Sequence, residues 1–130
     1  MEKPTNNFLS SQSIIAVVGV SADSEKYGQK VFFDLLNKGY KVYAVHPDGG
    51  EIQGQPRYAS LSTLPEKPSL VVSVVPPEIT EKIVEECVQL GINKIWMQPG
   101  SESQAAIELC RKNKIEYLAN ACIIIRSVKK

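Results

Sequence analysis

Four runs of the chain are apolar with little alternation: Ile14–Val20, Lys41–Pro47, Leu70–Pro77 and Lys94–Gly100. Runs of this kind predict strands covered on both faces, as in a parallel sheet. A weaker run, Ile115–Ala119, predicts a fifth strand, and the segment from Cys122 to Arg126 adds a short element. Between the runs the apolar period changes to that of a helix. Val31, Phe32, Leu35 and Leu36 line one face, with Gly39 at the stop; Ile79, Ile83, Val84, Cys87 and Leu90 line another, ending at Gly91. A third helix is predicted around Ile107, Leu109 and Cys110, with basic residues in its last turn.

The stretch Gly49–Pro68 is irregular and reads as a crossover, with a short strand near Ile52 and a helical turn near Leu61–Leu64. Strand–helix alternation with short connections predicts an α/β fold, a Rossmann-like doubly wound, mostly parallel sheet flanked by helices. One such domain is expected over residues 13–130, preceded by an N-terminal arm, residues 1–12, that packs through Phe8 and Leu9.

Composition narrows the partners. The 130 residues carry a formal net charge of +1, so no global field recruits nucleic acid or an anionic membrane. No apolar run approaches the ~20 residues that span a bilayer, and the N-terminus lacks a signal-peptide core. Three cysteines, Cys87, Cys110 and Cys122, have no metal-ligand spacing, and the chain is expected to be cytoplasmic with reduced thiols.

Ligands of open parallel sheets bind beyond the carboxyl ends of the strands, which singles out four loops. In the first, Gly19 turns tightly, Ser21 adds a hydroxyl, and Lys26 and Lys30 bring positive charge to a helix N-terminus that favours anions. Its glycines, at 19 and 28, match neither GxGxxG nor a Walker loop. An NAD site normally holds ribose with an acid at the end of the second strand. Here His46-Pro47 takes that place and Asp48 comes two positions late, so an NAD(P)-binding redox protein is disfavoured but stays open. The third loop carries Pro76 and Pro77, rigid apolar faces at a helix start; the fourth presents Gln98, Pro99 and Gly100, with Ser101 or Ser103 as helix cap.

Taken in order, Gly19-Val20-Ser21, Lys26, Val45-His46-Pro47, Pro76-Pro77-Glu78, Trp96-Met97-Gln98-Pro99-Gly100 and Cys122-Ile123 resemble the CoA-binding domain family. Its members are small stand-alone proteins related to the N-terminal domain of succinyl-CoA synthetase α subunits. His46, Val75 and Asn120-Ala121 stand where members commonly carry other polar residues. The resemblance implies coenzyme A, or an acyl-CoA, as ligand. The loop from Gly19 to Lys26, Val20 and Ser21 included, would hold its phosphates. Val45, His46, Pro47, Val75 and Pro76 would flank the adenosine, and Gln98, Pro99 and Gly100 would face the pantetheine arm. Cys122 would stand near the CoA sulfur.

No Ser/His/Asp set is visible, and His46, the single histidine, has no nucleophile beside it in sequence. The expectation is therefore a carrier, buffer or sensor of CoA without catalysis of its own. The alternatives are an accessory subunit of an acyl-CoA ligase and the redox protein above. A homodimer stays open, because small sheets often cover their edges by self-association.

Overall fold

The computed structural model describes residues 8–129; Met1–Asn7, which hold most of the expected arm, and Lys130 lie outside the described residues. The chain runs β1 (Ile14–Val18), α1 (Tyr27–Asn37), β2 (Lys41–Val45), β3 (Glu51–Ile52), β4 (Gln55–Tyr58), a 3₁₀ turn (Leu61–Thr63) and β5 (Leu70–Ser73). It continues through α2 (Pro77–Leu90), β6 (Lys94–Met97), α3 (Gln104–Lys112), β7 (Glu116–Leu118) and α4 (Ile123–Arg126). One seven-stranded sheet results, in the order β3-β4-β2-β1-β5-β6-β7. All pairs are parallel except β3 with β4, so the expected Rossmann-like α/β fold is the observed one.

Alternate residues of each central strand serve two separate cores, which is why the runs look continuously apolar in sequence. Ile15 and Val17 of β1, Leu70 and Val72 of β5 and Trp96 of β6 face Val31, Phe32 and Leu35 of α1 and Ile123 of α4. Ala16, Val18, Val71, Ile95 and Met97 face Ile83, Val84 and Cys87 of α2 and Ala106 and Cys110 of α3. Phe8 and Leu9 are buried in the first core, Phe8 meeting Trp96 edge to face at 6.2 Å.

The crossover differs from the expectation of one short strand. It forms a hairpin, β3 and β4, turned by Gln53 and Gly54 at φ of 46° and 83°. Two successive positive φ values suit a two-residue hairpin turn. Strand β4, Gln55-Pro-Arg-Tyr, pairs with β2 on its other side yet has almost no apolar signature, so hydrophobic pattern could not reveal it. Among the described residues no helix is long and apolar enough to cross a membrane.

Candidate functional site

The order in which the chain lays down its parallel strands reverses at β1: β2 lies on one side of it and β5 on the other. The carboxyl ends of these strands therefore splay a crevice where an α/β sheet binds its ligands. Gly19 closes β1 at a φ of +105°, and a Cβ there would stand 2.2 Å from the Val74 carbonyl oxygen. Gly28, in the first turn of α1, has its own reason: a Cβ on it would stand 1.9 Å from the Gly19 carbonyl oxygen. The pair of glycines thus seats the start of α1 directly on the end of β1. Both Gly19 N–H (2.9 Å) and Val20 N–H (3.2 Å) donate to the Val45 carbonyl, fixing the loop to β2.

Between them the loop winds through Ser21 and Asp23. Ser21 Oγ accepts from Asp23 N–H at 3.0 Å, and Asp23 Oδ1 accepts from Glu25 N–H at 2.9 Å. Lys26 is the N-cap of α1 but gives no side-chain cap, and the first turn holds no acid. Its leading N–H groups therefore have no capping side chain, and Lys26 and Lys30 are exposed nearby. Two residues that sequence reading passed over brace this loop. Arg57 of β4 donates from one guanidinium to Gly49 O (2.5 Å) and Val20 O (2.9 Å), and buried Gln29 donates to Ser21 O (2.9 Å).

Beside the loop a cleft of about 430 Å³ opens between α2 and the residues after β4. Gly19, Val45, His46, Pro47, Val75 and Pro76 line it, so half of the expected site residues meet in one space. Its walls are mostly aliphatic, and Ile79, Ile83 and Glu86 of α2 complete one side. Ile79 looks like a core position by spacing, yet it is 37% exposed because it faces this opening. His46 Nδ1 accepts from Asp48 N–H at 3.1 Å, and the His46 backbone N–H donates to Tyr58 O at 2.8 Å. A larger hollow on the outer face of α3 (about 600 Å³) is lined by Ala105, Glu108 and Arg111 and lies away from the strand ends.

Val20, Ser21 and Lys26 adjoin the cleft through the first loop, whereas Gln98, Pro99 and Gly100 end β6, further along the rim. Ser101 Oγ accepts from Val75 N–H at 3.1 Å, linking the fourth loop to the third, and Ser103 is the cap of α3. Pro99 and Gly100 are exposed. Gln98 is not open to a ligand as the sequence suggested: it is 1% exposed, and both ends of its amide are engaged. Oε1 accepts from Ile123 N–H (2.7 Å) and Nε2 donates to Cys122 Sγ (3.4 Å). Tyr27 Oη approaches the same sulfur at 3.7 Å.

Cys122 therefore differs in kind from the other two thiols. Burial alone would push it up, but Gln98, Tyr27 and the backbone N–H groups of Ile125 and Ile124 bring it below the usual thiol range. Burial drives Cys87 to about 12 and Cys110 to about 11. Among the described residues no group of three or more His, Cys, Asp or Glu is placed to hold a metal ion.

Comparison with known proteins reports on this arrangement. The structure is similar to that of a conserved hypothetical protein of Pyrococcus furiosus, with a TM-score of 0.84 and 37% identity, over 88% of this chain and 99% of that one. It is also similar to an acetyl-coenzyme A synthetase of Candidatus Korarchaeum cryptofilum solved with phosphate and ADP (TM-score 0.69, 26% identity, 83% of this chain and 25% of that one). In sequence it is 35% identical over 120 residues to the α subunit of an ADP-forming acetate–CoA ligase II of Pyrococcus furiosus, covering 84% of this chain and 26% of that one. An ADP-forming acetate–CoA ligase I of Archaeoglobus fulgidus is 35% identical over 95 residues, 73% of this chain and 14% of its own length. The chain thus spans about a quarter or less of the curated relatives it matches. The family model described as the CoA binding domain matches residues 13–127, and the chain belongs to that family.

Proposed function

We propose that the chain binds coenzyme A, or an acyl-CoA, along the carboxyl rim of its sheet. In this reading the adenosine occupies the aliphatic cleft between Val45-His46-Pro47 and Val75-Pro76. The phosphates rest on the loop from Gly19 through Val20 and Ser21 to Lys26. The pantetheine arm runs past the exposed backbone of Pro99 and Gly100, with Gln98 behind it, toward Cys122. One observation carries the proposal: an apolar cleft sized for a nucleoside adjoins an uncapped helix N-terminus. The close packing of Gly19 and Gly28 brings that N-terminus to the cleft.

The role proposed for the bound form is that of carrier, buffer or sensor, without chemistry of the chain's own. His46 has no Ser or Cys hydrogen-bonded to it among the described residues. A second reading, an accessory subunit of an acyl-CoA ligase, is favoured by the names of the relatives, which are ADP-forming acetate–CoA ligases. An NAD(P) site gains little support. Asp48, the nearest acid to the end of β2, is 77% exposed at its side chain and sits 3.6 Å from His46 Nδ1.

Calorimetric titration of ligand-stripped protein with CoA, dephospho-CoA, acetyl-CoA and NAD, at one salt concentration, tests all three. Micromolar or tighter CoA binding with NAD silent is the expected result. NAD binding with CoA silent overturns the proposal. Formation of ADP from ATP, CoA and acetate on mixing with a larger ATP-binding subunit selects the ligase reading over the carrier.

A further inference from the structure

The cleft has one polar side chain without a partner. His46 is engaged by Asp48, and the Ser60 hydroxyl lies 2.9 Å from that of Ser62. Glu86, half-buried on the wall formed by α2, makes no hydrogen bond or ion pair with any described residue. It continues the stripe of Ile79 and Ile83, four and three residues apart, and so faces the same space. Its carboxylate stands at an aliphatic wall with no donor from the fold. Such a group is explained by an occupant that brings it a donor.

We infer that Glu86 selects the base of the bound nucleotide, accepting a hydrogen bond from the exocyclic amine of adenine and rejecting 6-oxopurines. The inference rests on the CoA reading above. An ionised carboxylate only accepts hydrogen bonds. On its N6/N7 edge, away from N1, adenine offers an amine where hypoxanthine and guanine offer a carbonyl oxygen, which would face the carboxylate acceptor to acceptor. The geometry suits a nucleoside whose phosphates lie at the mouth of the cleft. Glu86 is about 13 Å along the axis from Pro77 at 1.5 Å per residue. Helical side chains lean toward the N-terminus, so its carboxylate reaches back toward that mouth.

The test is calorimetric affinity for CoA and for its deaminated, hypoxanthine-bearing counterpart, in the wild type, Glu86→Gln and Glu86→Ala. The wild type is expected to prefer CoA by tenfold or more. Glu86→Ala should weaken CoA and bring the two ligands within about threefold. Glu86→Gln should improve the hypoxanthine form relative to CoA, because its amide can turn to donate to the 6-carbonyl oxygen. Unchanged melting temperatures in both variants confine the effect to the cleft. A wild-type preference that survives both substitutions overturns the role of Glu86 and leaves CoA binding standing. A wild type that binds neither form overturns the CoA reading and this inference together.

Discussion

The two ends of the rim are built by different means. At the cleft, the backbone does the positioning. Gly19 and Gly28 allow contact that a Cβ would forbid, Val45 O receives two N–H groups, and Pro76 starts the turn into α2. At Cys122, side chains drawn from remote parts of the chain do it: Tyr27 from α1 and Gln98 from the end of β6 converge on one sulfur. The first end offers shape and open donors, so it suits recognition of a large rigid group. The second offers a polarised thiol, so it suits control of one atom. Backbone-built sites fail sharply on substitution; side-chain-built ones fail by degrees.

The largest expected effect breaks the first end. A Cβ at residue 28 would overlap the Gly19 carbonyl, which cannot move without breaking the bonds to Val45. Gly28→Val should therefore lower stability by at least the ~1–3 kcal/mol of an overpacked core, read as a drop in the urea midpoint. A wild-type midpoint would show that α1 is not seated on β1 as described. Next in size is Arg57→Ala, which frees the carbonyls of Val20 and Gly49 while leaving the sheet pairing of β4 intact. CoA affinity should fall about tenfold, the scale of one or two charge-assisted hydrogen bonds, with little loss of melting temperature. An equal fall in both would assign Arg57 to the fold rather than to the loop.

Legibility in the sequence follows the same division. Gly19, Pro76 and the His46-Pro47 turn are marked by residue types with restricted or exceptional backbone freedom, so the cleft mouth could be read from the chain alone. Parallel strands with two covered faces were equally legible, because Ile15 and Ala16 are apolar for opposite cores. Arg57 was not legible. Its strand carries Pro56 and two polar neighbours, and its partners are backbone oxygens that leave no trace in a residue pattern. Gln98 was found but misread. Its polarity at a strand end suggested a ligand contact, whereas its partners lie 24 and 25 residues on, at Cys122 and Ile123. Glu86 was not legible either, since helical spacing alone does not show that the cleft extends along α2.

A smaller effect is expected from Lys26, exposed at the start of α1. Solvent screens a charge in that position, so Lys26→Ala should cost about fivefold in CoA affinity at low salt and less as salt rises. A loss that does not depend on salt would argue against a phosphate contact. Dephospho-CoA sharpens the assignment, because a contact to the 3′-phosphate vanishes with that group while one to the pyrophosphate persists.

The smallest effect probes the second end, through the thiolate of Cys122. In the wild type, alkylation by iodoacetamide near neutral pH should label Cys122 first and spare Cys87 and Cys110, whose thiols burial drives to about 12 and about 11. The rate against pH should rise with an inflection below the usual thiol range, since Gln98 and Tyr27 stabilise the charged form against the opposing effect of burial. Tyr27→Phe removes one of these donors and leaves Gln98, with its anchor on Ile123 N–H, in place. The inflection should then move upward, slowing labelling at neutral pH without changing the plateau at alkaline pH. The ring of Tyr27 is half-exposed, so the substitution should leave the fold intact, and the melting temperature checks it. An inflection that stays put would mean that Gln98 and the backbone N–H groups alone hold the thiolate, and that α1 contributes nothing to this end of the rim.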